Sequence, residues 1–468
     1  MDSNIMDNFL IKRFKVILSA VILLILMSII LVLRFPRLSN EVNNDLPLIS
    51  SPIYGSTYYL DANHPESRDI ATNGSIDKPW KTLYYALRQL GPGDTLLIRA
   101  GIYQEHRWLT LEEEHSGREG FPILVQAYLG EVVIIKNSKP ISFYGANWWT
   151  IDGLIFESPY EDRNFIQLGL QEELGNERTV AAKHITIRNC EFRNGVKSVI
   201  SFQYAQDILI ENNYFHHVRP GKPFFENKTE VNALDVRYIA ENIIVRGNRF
   251  EDIGSDGVHL GAQGYLAGAK IGKVDIIDNE FWITRPYNGI FGNVGENGID
   301  VKWVVGPVLI SGNTIYGFRP TTPEQDASGA NGEGIVIHDN AQNVVIENNY
   351  LYDNTSHIVI SRGAEGTSGF TTNIVLRNNQ LREAKNDTND DGAAIIIIDV
   401  GTITILGNEI ISSDDTFYII TYIGGKVIFK NNVIIGGMPG GNIDKINWIV
   451  EGNTWQDAAV HPLLEDKK

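Results

Sequence analysis

The feature that most constrains this chain is a phrase that recurs along it: two short alternating strands, a bend between them, and an asparagine closing the second. It is clearest from Gly298 to Ile315, GIDVKWVVGPVLISGNTI. It returns as DILIENNYF, NIIVRGNRF, VDIIDNEF, NVVIENNYL, NIVLRNNQL, TITILGNEI and KVIFKNNVI. Marking it by Cys190, Asn213, Asn248, Asn279, Asn313, Asn349, Asn379, Asn408, Asn432 and Asn453 gives intervals of 23, 35, 31, 34, 36, 30, 29, 24 and 21 residues. The shortest intervals measure a bare coil, and the longer ones a coil with inserted loops. Aliphatic residues fall at every second position and nothing helical separates the strands, so each repeat hides its apolar face only by stacking on its neighbours. The expectation is an all-β solenoid of parallel strands, with function placed where the repeat is broken.

One solenoid can absorb most of the 468 residues, because each coil packs only on the next. A net charge of -17 argues against nucleic acid as a partner, yet a local basic groove on such a body can still hold an acidic polysaccharide. Cys190, the single cysteine, allows no internal disulfide and no cysteine-built zinc cluster; at the asparagine position of its coil it reads as a buried structural thiol. Nothing in the composition calls for more than a monomer.

Residues 1–15 read as a cytoplasmic N-terminus. Val16 to Leu33, an apolar run of 18 residues entered by Lys12, Arg13 and Lys15 and left by Arg34 and Arg37, reads as a transmembrane signal-anchor. On that reading residues 34–56 are a tether, the membrane is a partner through the N-terminal helix, and the protein is membrane-anchored with its solenoid outside the cytoplasm. Residues 57–455 form the solenoid, and residues 456–468 a C-terminal tail or cap. At the solenoid entrance PWKTLYYALRQL (79–90) places Leu83, Ala86, Leu87 and Leu90 on one side of an amphipathic helix closed by the GPGD turn. Such a helix caps the first coil, whose bare edge would otherwise template pairing with other chains.

The entrance carries a family likeness. YYLDANHP, KPWKTLYYAL and GPGDTLLIRAGIYQE resemble the opening of right-handed parallel β-helix proteins of the pectate-lyase-like superfamily, and the resemblance runs over roughly residues 57 to 455. It implies a single-stranded right-handed parallel β-helix with an N-terminal helix cap. It leaves the activity open, since that superfamily holds lyases, hydrolases, epimerases and proteins without catalysis.

Aligning the coils on their asparagines puts Ile200, Asp235, His259, Asp300 and Val336 in one outward column. Phe202, Arg237, Gly261, Lys302, His338 and Ser361 fall in the next. With strands ~4.8 Å apart, Asp235, Arg237, His259, Asp300, Lys302 and His338 converge on a patch about 15 Å across. His357 and Arg362 fall at its edge. Arg219, Arg285 and Arg319 recur at one bend of the repeat, each followed by proline, as stems of the long loops. A row of guanidinium forks suits carboxylates or sulfates, and equally suits salt bridges within each arginine's own loop.

These residue types fit chemistry on a uronate. A base removes the proton beside the sugar carboxylate while a cation neutralises that carboxylate. Loss of a β-leaving group then gives a lyase; return of a proton to the opposite face gives a C5-epimerase. Lys302 or His338 is the candidate base, Arg237 the neutraliser, Asp300 the orienting carboxylate, and His259 an acid or second base. Arg219, Arg285, Arg319 and Arg362 are candidates for holding substrate. Asn297 to Lys302 resembles the tyrosine-glycine-aliphatic-aspartate-proline-histidine motif of alginate C5-epimerase-like β-helices: Asp300 matches the aspartate, while Asn297, Val301 and Lys302 replace the other polar or rigid members. Calcium is the candidate cofactor, because similarity to calcium-dependent pectate-type lyases implies an acid cluster, for which Asp235, Asp256, Asp300 and Glu333 are available. Asp235 and Asp300, two stacking steps or about 9.6 Å apart, also admit an inverting hydrolase. A non-catalytic glycan-binding surface uses the same arginines.

Overall fold

The computed structural model describes residues 55–157, 163–170, 179–218, 231–262, 270–284, 295–319, 332–362, 369–384, 392–413, 417–423, 425–441 and 447–460. They belong to one compact unit, Tyr54–Lys468, and are almost entirely strands paired in parallel. Three ladders run along the stack. The first passes from Thr57–Leu60 through Thr95–Ile98, Ile123–Ala127 and Trp149–Asp152 to Trp448–Glu451. The second passes from Leu109–Leu111 through Ile141–Phe143 and Ile166–Leu168 to Met438–Gly441. Two long strands, Ile200–Glu211 and Leu234–Arg246, belong to both and merge them into one 25-stranded sheet. The third ladder, 13 short strands from Gly101–Tyr103 to Thr454–Gln456, closes the coil. This is the parallel β-helix that the repeat requires.

The asparagines earn their place by hydrogen bonding from coil to coil. The Asn313 amide donates to the carbonyl of Ile276 at 2.9 Å and to Asn349 Oδ1 at 3.0 Å, while the Asn313 main-chain N–H donates to the same Asn349 oxygen at 2.9 Å. The pattern repeats at Asn213, Asn248, Asn279, Asn349, Asn379, Asn408 and Asn432. A bend leaves buried main-chain groups without a sheet partner, and this column satisfies them. Cys190 heads the column: its N–H donates to Asn213 Oδ1 at 2.9 Å, its thiol lies 3.2 Å from the Arg188 carbonyl, and burial pushes that thiol up to about 12. It is the structural thiol expected. Inside, Phe156, Phe192, Phe215, Phe250 and Phe281 stack coil on coil with centroids 4.5 to 5.0 Å apart.

The entrance helix is shorter than its amphipathic pattern suggests, Leu83–Leu87, capped by the Thr82 side chain accepting from the Tyr85 N–H. Leu83, Ala86, Leu87 and Leu90 are all buried. Leu83 and Leu87 reach the interior space lined by Val125, Phe143 and Trp149, which is how the cap closes the first coils.

The membrane reading does not stand. No helix among the described residues is long and apolar enough to cross a membrane. The apolar run 16–33 lies outside the described residues, as do residues 1–15 and all but the last two of the tether. The transmembrane helix, the membrane as partner and the membrane-anchored location are therefore not carried further.

Candidate active site

Four neighbouring strands of the second ladder build the patch: Leu234–Arg246, Asp256–Gly261, Asn297–Lys302 and Glu333–His338. Their register puts Asp235 beside His259, His259 beside Asp300, and Asp300 beside Val336. The next outward column runs Arg237, Gly261, Lys302, His338. A third column, Asp256, Asn297 and Glu333, opens the strands. Between the first and third columns sit Gly257, Gly298 and Gly334. A Cβ on Gly257 would come 2.5 Å from the Phe281 ring, one on Gly298 2.6 Å from the Gly334 carbonyl, and one on Gly334 2.7 Å from the His357 carbonyl. The glycines let the backbone turn tightly against the core and present polar side chains on both sides of the turn.

The expected column needs one correction. Ile200 pairs with Leu234 and Phe202 with Val236, both pointing inward, and Ser201 is the neighbour of Asp235. The register then slips, because Leu234–Arg246 carries an extra residue between Val236 and Ile239. Tyr238 sits there at φ 63°, a bulge that aims Arg237 back across Asp235.

Within the patch every charge is answered. Arg237 Nε donates to both Asp235 oxygens, at 2.7 and 2.8 Å, and His259 Nδ1 lies 2.8 Å from Asp235 Oδ1. Lys302 Nζ is 3.0 Å from Asp300 Oδ2, and His338 Nε2 is 2.9 Å from Asp300 Oδ1. On its other side, His338 Nδ1 is 3.2 Å from Asp339 Oδ2. Asp235, Asp256, His259 and Asp300 are buried, whereas the side chains of Arg237, Lys302 and His338 keep 27, 17 and 22% of their surface in solvent. Burial pushes Asp235 up, but the His259 hydrogen bond and charge, with Arg237 behind them, bring it down to about 2. Burial also opposes ionisation of Asp300; the His338 hydrogen bond and the Lys302 charge overcome it and hold that carboxyl far below the usual range. Burial works against protonation of His338, and its bond to Asp300 outweighs that and raises it. The result is a row of cations over a floor of carboxylates fixed in their ionised form.

An imidazole reaches Asp300 from the next coil. Lys302 stands two residues after Asp300 in the chain, while His338 reaches it across the ladder. Asp256 joins His259 and Asp300 in a buried group whose ligand atoms all lie within 4.8 Å of one another. These three can coordinate a divalent cation such as calcium. Of the other acids considered for a metal, Asp235 is committed to His259 and Arg237, and Glu333 stands outside the group. Asn297, read in the chain only as a replacement for tyrosine, donates to Asp256 Oδ1 at 2.9 Å.

The arginines divide. Arg219 and Arg285, and the inserted loops they precede, lie outside the described residues. Arg319 pairs with Asp353 at 3.3 Å, and Arg362 pairs with Asp399 at 3.0 Å while lying over the Phe370 ring. His357 does not reach the groove; it is fully buried beneath the bend, with Asn354 Nδ2 at 3.2 Å from its Nδ1.

No family model matches the chain. The uncharacterized protein YwoF of Bacillus subtilis (strain 168) is 33% identical over 85 residues, which span 18% of this chain and 16% of that protein. Among solved structures, pectate lyase Pel9A is similar over 87% of this chain and 82% of its own, at 16% identity and a TM-score of 0.42. The GH136 lacto-N-biosidase from Eubacterium ramulus is similar over 86% and 68%, at 14% identity and 0.46. The A-module of the mannuronan C-5 epimerase AlgE4 of Azotobacter vinelandii is similar over 78% and 87%, at 13% identity and 0.42. None of these likenesses carries an activity to this chain.

Proposed function

We propose that the protein is a carbohydrate-active enzyme that cleaves a uronate-containing polysaccharide by β-elimination. The observation that carries the reading is the row Arg237, Lys302 and His338, partly open to solvent above Asp235 and Asp300. Three cations at consecutive or near-consecutive steps of a rigid ladder match the carboxylates of an extended acidic glycan. His338, held protonated by Asp300, and Arg237, held by Asp235, neutralise the substrate carboxylate. That lowers the cost of the charge that develops beside it. Lys302, once it has lost its own proton to solvent, can take the C5 proton without breaking the His338–Asp300 pair, so it is the proton acceptor. The C5 proton passes to Lys302, the C5–H electrons form the new C4=C5 double bond, and the C4 oxygen leaves with the rest of the chain, taking its proton from water. Asp300 orients both Lys302 and His338.

Inverting hydrolysis fits less well. It needs one carboxyl kept protonated as a general acid, and Asp235 and Asp300 are both held ionised. Epimerisation shares the first step and differs in returning a proton, for which His338 is placed.

The test is a panel of uronate polymers incubated with the wild type and with Lys302→Ala. Ultraviolet absorbance of an unsaturated end group, produced by the wild type and lost in the variant by 100-fold or more on the order of a general-base contribution, is the expected result. A changed epimer ratio by NMR without unsaturated product would replace the lyase with the epimerase. Tight retention of glycan with neither product would sink the catalytic reading.

A further inference from the structure

The imidazole of His259 is 97% buried and its Nε2 has no hydrogen-bond partner. Its other nitrogen, Nδ1, lies 2.8 Å from Asp235 Oδ1. An ionised carboxylate only accepts, so Nδ1 donates to Asp235 and Nε2 is the ring nitrogen left for another ligand. Nε2 faces Asp300, whose Oδ2 is 3.9 Å away, too far for a hydrogen bond. Asp256 completes the group from the same strand as His259, with all three donor atoms within 4.8 Å of one another. Three groups able to ligate a cation converge in a buried space, with Asn297 donating to Asp256.

We propose that Asp256, His259 and Asp300 form a binding site for a first-row transition ion of the zinc class, with Asp235 as the positioning carboxylate that fixes the His259 tautomer. The same three residues can hold calcium, but the imidazole favours the zinc class: calcium is usually held by six to eight oxygens, whereas two carboxylates and an imidazole are a common zinc-type donor set. A metal-bound histidine ordinarily donates its second N–H to a carboxylate, which is the Asp235–His259 arrangement. Donors around one ion with bonds of ~2.1 Å lie no more than about 4.2 Å apart, and the 3.9 Å between His259 Nε2 and Asp300 Oδ2 already meets that limit. Asp300 Oδ2, the oxygen nearest His259, is also the one Lys302 holds at 3.0 Å, so a bound ion would share it with Lys302. The site lies below the cation row, and its existence does not depend on the elimination chemistry.

The experiment uses the full chain, stripped with chelator and then loaded in turn with Zn2+, Co2+ or Ca2+ alone. About one equivalent of zinc should remain after desalting, with visible d–d bands for the cobalt form and a raised melting temperature for both. Asp235→Asn should weaken zinc binding by about 10- to 100-fold while the fold is retained. His259→Gln and the nearly isosteric Asp256→Asn should abolish the cobalt bands. Failure of the folded wild type to retain zinc or cobalt, or preferential retention of calcium, would overturn the proposal. Loss of zinc binding with glycan cleavage intact, or the converse, separates this site from the proposed activity.

Discussion

Replacing Asn313 by alanine tests whether the asparagine column holds the coils together or merely decorates a bend. The side chain is fully buried and takes part in four hydrogen bonds: it donates to Ile276 O and Asn349 Oδ1, and its oxygen accepts from the Asn279 main-chain N–H at 2.9 Å and the Asn279 amide at 3.0 Å. Two of those partners keep a second bond in the variant. The Asn279 amide still reaches the Val245 carbonyl, and Asn349 Oδ1 still accepts from the residue 313 N–H. The other two, the Asn279 N–H and the Ile276 carbonyl, lose this partner inside the protein. At roughly 1–3 kcal/mol for each of the two orphaned buried groups, the expected cost is about 2–6 kcal/mol. Asn453 supplies the comparison, because it ends the column, is partly exposed, and donates to the Phe429 carbonyl with no asparagine beyond it; water can replace what Asn453→Ala removes, and about 1 kcal/mol is expected. Urea unfolding followed by tryptophan fluorescence measures the difference, and hydrogen exchange at the Asn279 amide locates it, since stacked coils open locally. Equal costs at the two positions, or an Asn279 amide no faster to exchange in Asn313→Ala, would refute the reasoning.

Two further perturbations follow from groups around the site. Burial pushes His357 down to about 3, with only the Arg382 main-chain carbonyl acting the other way. The unfolded chain therefore takes up that proton first, so stability is full above about pH 6.5 and falls toward pH 3 by about 1.4 kcal/mol per pH unit; at pH 5 the loss is roughly 2 kcal/mol, and His357→Gln should lose that much less between pH 7.5 and pH 5, equal losses arguing against it. Gly298→Ala would press a Cβ to 2.6 Å from the Gly334 carbonyl and 2.8 Å from Ile315. It should cost about 1–3 kcal/mol and reduce glycan turnover together with stability, while Gly153→Ala, with nothing within 4 Å of its Cβ, should leave turnover unchanged; unaltered turnover in Gly298→Ala would show that the tight turn does not position Asp300.

What could be read from the chain, and what could not, divides along one physical line. Period-2 alternation and the asparagine marks are local signals repeated many times, so the inward aliphatics, the ladders and the stacking of Asp300 between His259 and an apolar Val336 were all legible. Register is a property of neighbouring coils, and a single extra residue is enough to shift it. Aligning Ile200 with Asp235 assumed coils of equal length, but from Ile200 to Asn213 there are 13 steps and from its partner Leu234 to Asn248 there are 14, the surplus being absorbed at Tyr238. The same blindness hid the pairs that define the site. His338 reaches Asp300 across 38 residues and Asn297 reaches Asp256 across 41, and no motif confined to one strand contains them. A usable signal was present in the repeated openings DGVHL, NGIDV and EGIVI, where an acid or amide precedes each glycine. Aligned on the glycine instead of the asparagine, these strands place Asp256, Asn297 and Glu333 in one column and His259, Asp300 and Val336 in another. The glycine is the better anchor at this face because the core forbids a side chain there, whereas the asparagine fixes a different bend and lets every insertion between the two accumulate as error.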